Sequence, residues 1–456
     1  MLTYRTKLRV RAERADPESL ERGVRQLLAD KISGTMAGLW LLVPEHLRLG
    51  TWDLLRAWTA HPTERVEPRL ALQLVHEAAL CVRGIRQGRC LSQKGFELAN
   101  GLPFVGSDQA IHQLLDAHTV VQAQELQVAL GLVRRARGHF PGHLLAIDPH
   151  RMPSSSKRQM RLHRSSHKQE RKAHKCSPTF FALDAQSGQP VCLLTGTASR
   201  TASHASAELL PLAQRILQPL PGQILTLADS EHFTLEIFQQ IVPQTPFDLL
   251  VPMPQQPYYQ RQFQQIPPEA FVPRWAGLAI AKIPLPNPPG RPPLYQLVQR
   301  LGEQPARYLY KGFWSTADRD ELQDLIVHFP QRWHIEEFFH DHEHLGWNRG
   351  GTLNLHIRYG QMTLALVAQA ALYQLRQRLG SPYDHWQADH LAEKLLAGLD
   401  GDIRVHGDTI LVTYYNAPDT EKLRPLYEGL PAKLQTEGLR PNIPWLYDFK
   451  LDFRFR

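Results

Sequence analysis

Apolar residues recur at three- and four-residue steps through the first 140 positions, most clearly over 17–31, 66–86 and 119–136. That spacing lines one face of a 3.6-residue helix. Asn100-Gly101-Leu102-Pro103 and Gly106-Ser107-Asp108 fall between such stretches as stop and cap signals. The helix pair expected at 91–99 and 107–116 has a longer connection than the three or four residues of a helix-turn-helix, which leaves both helical packing and DNA reading open.

From Gly142 the pattern shifts to short apolar runs separated by turns. HLLAID (143–148) reads as a buried strand, and PTFFALD (178–184) and VCLLTG (191–196) read as a hairpin about Ala185-Gln186-Ser187-Gly188. A helix at 204–217, a strand at 224–229, a helix near 233–242 and a strand at 247–251 follow. The order strand, strand, strand, helix, strand, helix, strand is that of a ribonuclease-H-like sheet, so the fold class expected is α/β: a mixed sheet preceded by a helical N-terminal domain. Prolines crowd 252–294, and the strand-like LYQLVQRL and ARYLYKGFW come after them, which predicts a β-rich insertion over 252–315. Ser315-Thr316-Ala317-Asp318 reads as a helix start, with Glu321 completing a capping box on Asp318. The amphipathic stretch to about 345 carries a break at Pro330, and a long apolar helix is expected at 355–378. The domains predicted are 1–140, helical and expected to bind DNA ends; 141–251 with 316–380, the ribonuclease-H-like catalytic domain; 252–315, the insertion; and 381–456, without an assigned role.

Composition narrows the class. Hydrophobic residues make up 43% and charged residues 21% of 456, ordinary globular usage that excludes coiled coil and wholesale disorder. The opening residues alternate charges without an apolar run, and Met362–Leu375 is interrupted by Gln369 and Gln374, so neither a secretory leader nor a membrane span is expected. Cys81, Cys90, Cys176 and Cys192 form no Cys-x-x-Cys pair and read as reduced thiols of a cytoplasmic protein. The net charge of +8 is concentrated: residues 151–175 hold nine basic side chains and one acid, Glu170. Within this tract Lys157, Arg161, Arg164, Lys168 and Lys172 recur at three- and four-residue steps, a pattern suited to phosphate neutralisation or to a solvated linker.

Three acids occupy interpretable places: Asp148 ends the first strand, Asp229 ends the fourth, and Glu336 lies on the helix after the insertion. In a ribonuclease-H-like sheet such positions converge, and hard divalent cations favour carboxylate oxygens. In HFPQRWHIEEFFHDHEHLGWNRG (328–350), helical spacing places Phe329, Arg332, Glu336, His340 and Glu343 on one stripe, with Ile335, Phe338 and Phe339 on an adjoining apolar one. His340, His342 and His344 include an i, i+4 pair able to bridge a metal, but the order is not the His-Glu-x-x-His of a metalloprotease. Trp275 and Trp314 are candidates for base stacking, with core packing as the alternative.

The stretch around Arg332 and Glu336 resembles the signature of bacterial insertion-sequence DDE transposases, the group with Tyr, Arg, Glu and Lys around the third catalytic carboxylate. The resemblance extends to LLAID, LTGTASRTAS (194–203), LADSEHF and FWSTAD, and covers about 140–380. Phe329 stands where the family has Tyr and Glu343 where it has Lys. The resemblance implies that Asp148, Asp229 and Glu336 are catalytic and hold two Mg2+ ions, with Mn2+ able to substitute, and that Arg332 and the basic tract contact DNA. It implies cleavage at element ends and strand transfer, double-stranded DNA at the element ends and the target as partner, a dimer or larger assembly on DNA, and a nucleoid-associated location. A transposase-derived DNA-binding protein without chemistry, and a metal-dependent nuclease without strand transfer, are the alternatives that the departures at Phe329 and Glu343 leave open.

Overall fold

The structure, a computed structural model, describes residues 17–34, 36–59, 66–82, 94–153, 162–163, 174–197, 199–286, 293–341, 345 and 352–456. Two compact units are present, one formed by 1–133 with 341–456, the other by 134–340.

In the first unit the helices Pro17–Ala29, Val66–Ala79, Lys94–Ala99 and Asp108–Asp116 lie within or close to the periodic stretches. Leu20, Val24 and Leu28 bury the apolar stripe of the first of these, and Ser107 caps the last by accepting a hydrogen bond from Ala110 N. The helix Leu355–Leu379 is buried along most of its length, the polar Arg358, Gln361 and Gln369 included, and packs against Val66–Ala79. It therefore belongs to the first unit and not to the unit that carries the large sheet. Residues 381–456 contribute β12 (Gly401–His406), β13 (Thr409–Tyr414) and β14 (Lys450–Phe455), which join β1 (Ile32–Gly34) in a four-stranded sheet ordered β1-β12-β13-β14. Two buried arginines of this unit are paired as burial demands. Arg69 donates to the carbonyls of Gly101 (3.1 Å) and Trp445 (3.3 Å) and lies over the rings of Trp52 and Tyr447, while Arg48 is held by Glu45 and Glu437.

The second unit is built on a ten-stranded mixed sheet. Its strands are β2 (Leu144–Pro153), β3 (Leu162–His163), β4 (His174–Asp184), β5 (Gln189–Thr195), β6 (Leu225–Ala228), β7 (Asp248–Pro252), β8 (Val272–Trp275), β9 (Leu278–Pro284), β10 (Tyr295–Leu301) and β11 (Leu309–Ser315). They are ordered β3-β4-β2-β6-β7-β11-β10-β9-β8, and β5 pairs with β4. β2, β6 and β7 are mutually parallel, and the remaining pairings are antiparallel. Leu144–Ile147 and Leu225–Ala228 are all buried, as continuous apolar strands in the middle of a sheet must be.

The inserted stretch is β-rich, and its four strands extend the same sheet by an antiparallel meander joined to β7 through β11. The helix Pro257–Gln264 lies beside it and closes a small core of Met253, Phe263, Phe271, Ala279, Ala281 and Val298. Gly312 is required there, since a Cβ on it would stand 2.3 Å from the Phe263 ring. The helix after the insertion is capped by Asp320, whose carboxylate accepts from Leu322 N and Gln323 N. This corrects the expected capping box: Asp318 instead pairs with Lys282 of β9, and Glu321 pairs with Arg274 of β8. The break expected at Pro330 takes the form of a wide turn at Asp324–His328, a tight turn at Phe329–Trp333 and a regular helix at His334–Asp341. A proline has no N–H to continue the ladder and its ring displaces the preceding turn.

Candidate active site

Two of the candidate acids are positioned by strand register. The parallel pairing of β2 and β6 ends at Ile147 and Ala228, so Asp148 and Asp229 are the next residues on neighbouring strands, which run about 4.8 Å apart. β2 continues beyond the predicted end at 148 and pairs with β4 as far as Pro153, with Asp148 opposite Phe181. β6 stops at Ala228, and Asp229 caps the turn that follows by accepting from Glu231 N at 3.0 Å and from His232 Nδ1 at 2.8 Å.

The third acid is brought in by the helix His334–Asp341, which packs onto the same part of the sheet. Ile335 and Phe338 are buried, Phe338 stands edge-on to Phe181 at 5.6 Å, and Phe339 lies over His150 at 4.5 Å. His334 Nδ1 donates to the Ala185 carbonyl at 2.6 Å and fixes the start of this helix. Glu336 therefore faces the strand ends, while Glu337 is exposed.

Arg332 joins the acids. Its guanidinium donates to Glu336 Oε1 at 2.8 Å and lies 3.9 Å from Asp148 Oδ1. Side-chain exposure rises outward, from 14% for Asp148 and Arg332 to 28% for Asp229 and 36% for Glu336, so the cluster is deepest at Asp148 and most open at Glu336. Burial pushes the Asp148 carboxyl well above its ordinary range; the neighbouring Asp229 adds to this, Arg332 opposes it, and Glu336 and Glu231 raise it further. Burial works in the same direction on Asp229 but is outweighed by the His232 hydrogen bond and charge, the Glu231 amide and Arg332, so Asp229 lies below its ordinary range. Adjacent carboxylates whose environments drive them apart in this way are a recurrent feature of sites that do acid–base or metal chemistry.

The donor set suits a hard divalent cation: two carboxylates repel where the pairing of β2 with β6 ends, a third is close by, and the Arg332 guanidinium stands among them. As the side chains stand, no three carboxylate, imidazole or thiolate groups among the described residues gather closely enough to enclose an ion.

Other candidates fall differently. Lys157, Arg161, Arg164, Lys168 and Lys172 lie outside the described residues, as do His342, His344 and Glu343. Arg151, at the start of the basic tract, is ion-paired with Glu231 beside Asp229. Trp314 is packed among Phe233 and Phe238 and serves the core, whereas Trp275 is half exposed on β8. Phe329 packs edge-on against Phe313 at 5.0 Å, a contact made by its ring alone. His232 joins the site without having been marked by charge or periodicity. Its signal is the Asp-x-x-His spacing of LADSEH, which a cap returning to its own turn makes intelligible.

No helix among the described residues is long and apolar enough to cross a membrane, and Cys176 and Cys192 are free thiols. No curated protein matches the chain in sequence. Among solved structures, the piggyBac transposase in its synaptic complex with hairpin DNA aligns over 81% of this chain and 82% of its own, at 10% identity and a TM-score of 0.42. Residues 139–369, just over half of the 456, match the family model for the transposase DDE domain, and with the strand-end acids and the Arg332–Glu336 helix inside that span, the chain belongs to this transposase family.

Proposed function

We propose that the chain is an active transposase that cleaves DNA at the ends of its element and joins them to target DNA, with Asp148, Asp229 and Glu336 as its catalytic carboxylates. The observation that carries the reading is the meeting at one end of the sheet of two acids on adjacent parallel strands and a third on the helix whose Arg332 reaches both Asp148 and Glu336. The order β5-β4-β2-β6-β7, with β2, β6 and β7 parallel, supports a ribonuclease-H-like reading of this part of the sheet.

In this scheme Asp148, Asp229 and Glu336 hold divalent cations, which this family generally uses and which we take to be two Mg2+ ions with Mn2+ as a substitute. When bound, such ions would activate the attacking hydroxyl and neutralise charge on the leaving oxygen. His232 keeps the Asp229 carboxylate turned toward β2 by its hydrogen bond. The packing of Phe338 on Phe181 holds Glu336 over the strand ends. Arg332 offers a planar fork of donors to the DNA phosphate. The partner proposed is double-stranded DNA, gripped also by the basic tract and by the helical N-terminal region, with two or more copies assembled on paired ends in the cytoplasm.

The test is strand cleavage on duplexes carrying the sequences that flank the gene. Asp148→Asn, Asp229→Asn and Glu336→Gln should each abolish cleavage and retain DNA binding. Glu337→Gln, about 100° round the helix, should cleave normally; loss at Glu337 with activity kept at Glu336 overturns the assignment. The presence of Glu343 and Phe329 at two signature positions favours a second reading, a DNA-binding protein that has lost its chemistry. Under that reading the unaltered chain binds the same duplexes and cuts none of them at any divalent ion concentration.

A further inference from the structure

The guanidinium of Arg332 has two incompatible tasks. In the proposed reaction it meets a DNA phosphate, yet in the DNA-free protein it donates to Glu336 Oε1 at 2.8 Å and lies 3.9 Å from Asp148 Oδ1. Those are two of the three carboxylates that would hold the cations. A group with 14% of its side chain exposed, facing carboxylates at these distances, is their counter-ion. A divalent ion arriving among the same oxygens would meet a unit positive charge within a few ångströms, in surroundings where charges are poorly screened. Arg332 and Glu336 are four residues apart on one helical face, so the side chain can swing outward while the backbone stays in place. The neighbouring ion pair does not compete for this role, because Arg151 is engaged by Glu231.

We propose that Arg332 is a built-in counter-cation that keeps the carboxylate cluster closed to divalent ions until a DNA phosphate draws the guanidinium away. Metal binding and DNA binding then strengthen one another, since whichever is present first removes part of the cost of the other, and the coupling is equal in both directions. The device confines a fully loaded cleavage site to the DNA-bound protein. It rests on the reading of Asp148, Asp229 and Glu336 as the metal-holding acids.

The experiment is Mn2+ binding to the full chain by titration calorimetry at fixed pH, without DNA and with a saturating duplex, for the natural protein, Arg332→Gln, Arg332→Lys and Asp148→Asn. Without DNA, Arg332→Gln should bind Mn2+ at least about tenfold more tightly than the natural protein, because a unit charge close to the ion is gone. Arg332→Lys, which keeps the charge, should stay weak and shows that the effect is electrostatic; thermal unfolding of each variant checks that it is folded. Duplex DNA should tighten Mn2+ binding by the natural protein and leave Arg332→Gln nearly unchanged. If Arg332→Gln binds Mn2+ no better than the natural protein while Asp148→Asn abolishes binding, the guarding role is overturned and the metal site survives. If Asp148→Asn binds Mn2+ as the natural protein does, the metal-site reading falls and takes this inference with it.

Discussion

Replacing Phe338 by Ala probes whether sheet packing, and not the helix alone, sets the position of Glu336. Phe338 is 3% exposed and stands edge-on to Phe181, the β4 residue opposite Asp148. The substitution removes a nearly whole buried ring, which costs about 3–5 kcal/mol in a core that relaxes only partly. The other polar anchor of this helix, the His334 hydrogen bond to Ala185, contributes a net ~1 kcal/mol and cannot compensate. The loss should therefore appear first as local opening of His334–Asp341, with Glu336 released from the strand ends. Hydrogen exchange of amides 334–341 should accelerate by several orders of magnitude relative to the β2 and β6 amides, and strand cleavage should fall in step. Phe338→Leu, which keeps most of the volume, should cost under about 1.5 kcal/mol and retain activity. Unchanged protection over 334–341 in Phe338→Ala together with full cleavage would show that Glu336 is placed by something other than this ring.

His76 and the basic tract give two more expectations. His76 is fully buried, bonds Asn100 at 2.7 Å, and has its pKa lowered from 6.5 to about 4 by burial. Protons then bind the unfolded chain more readily, so the stability of the first unit is complete above pH 6.5 and is lost as pH falls toward 4, by roughly 3 kcal/mol; urea unfolding between pH 7 and pH 4 should show that slope, and His76→Gln should flatten it. In the tract, changing Arg161, Arg164, Lys168 and Lys172 to Gln should weaken binding to every DNA sequence and flatten the plot of log affinity against log salt by up to ~0.9 for each phosphate that is no longer neutralised; an unchanged slope identifies the tract as a solvated linker.

What could be read in advance was what depends on local period. Short apolar runs and the 3.6-residue pattern located the central strands, the helix expected at 204–217 and found at Ala202–Leu217, and the stripe that pairs Arg332 with Glu336. What could not be read depends on partners far away in sequence. The helix Leu355–Leu379 has a long apolar run, which says that it is buried and nothing about where, and only its packing against Val66–Ala79 assigns it to the first unit. The short strand Ile32–Gly34 finds its partner at Gly401–Ile403, a pairing that three residues cannot announce. Asp318 and Asp320 are equal candidates for a cap by local rule, and Lys282 on a neighbouring strand decides between them by engaging Asp318.

The irregular helix after the insertion has a consequence for the candidate site. Wide turns are commonly found at functional positions, where they shift the phase of the side chains that follow. Here Asp324–His328 is wide and Phe329–Trp333 tight, and the tight turn packs against β2 and β6. His328 bonds Asp324 and meets His143 edge-on just before the strand starts, and four residues later Arg332 reaches Asp148 within it. The tight turn at Pro330 gains rise per residue over a regular helix, and Arg332 arrives beside Asp148, while the regular turns from His334 restore the i, i+4 spacing that joins Arg332 to Glu336. A proline inside this helix, which propensity alone marks as a defect, is thus part of how one segment delivers both the third carboxylate and the cation that neutralises it.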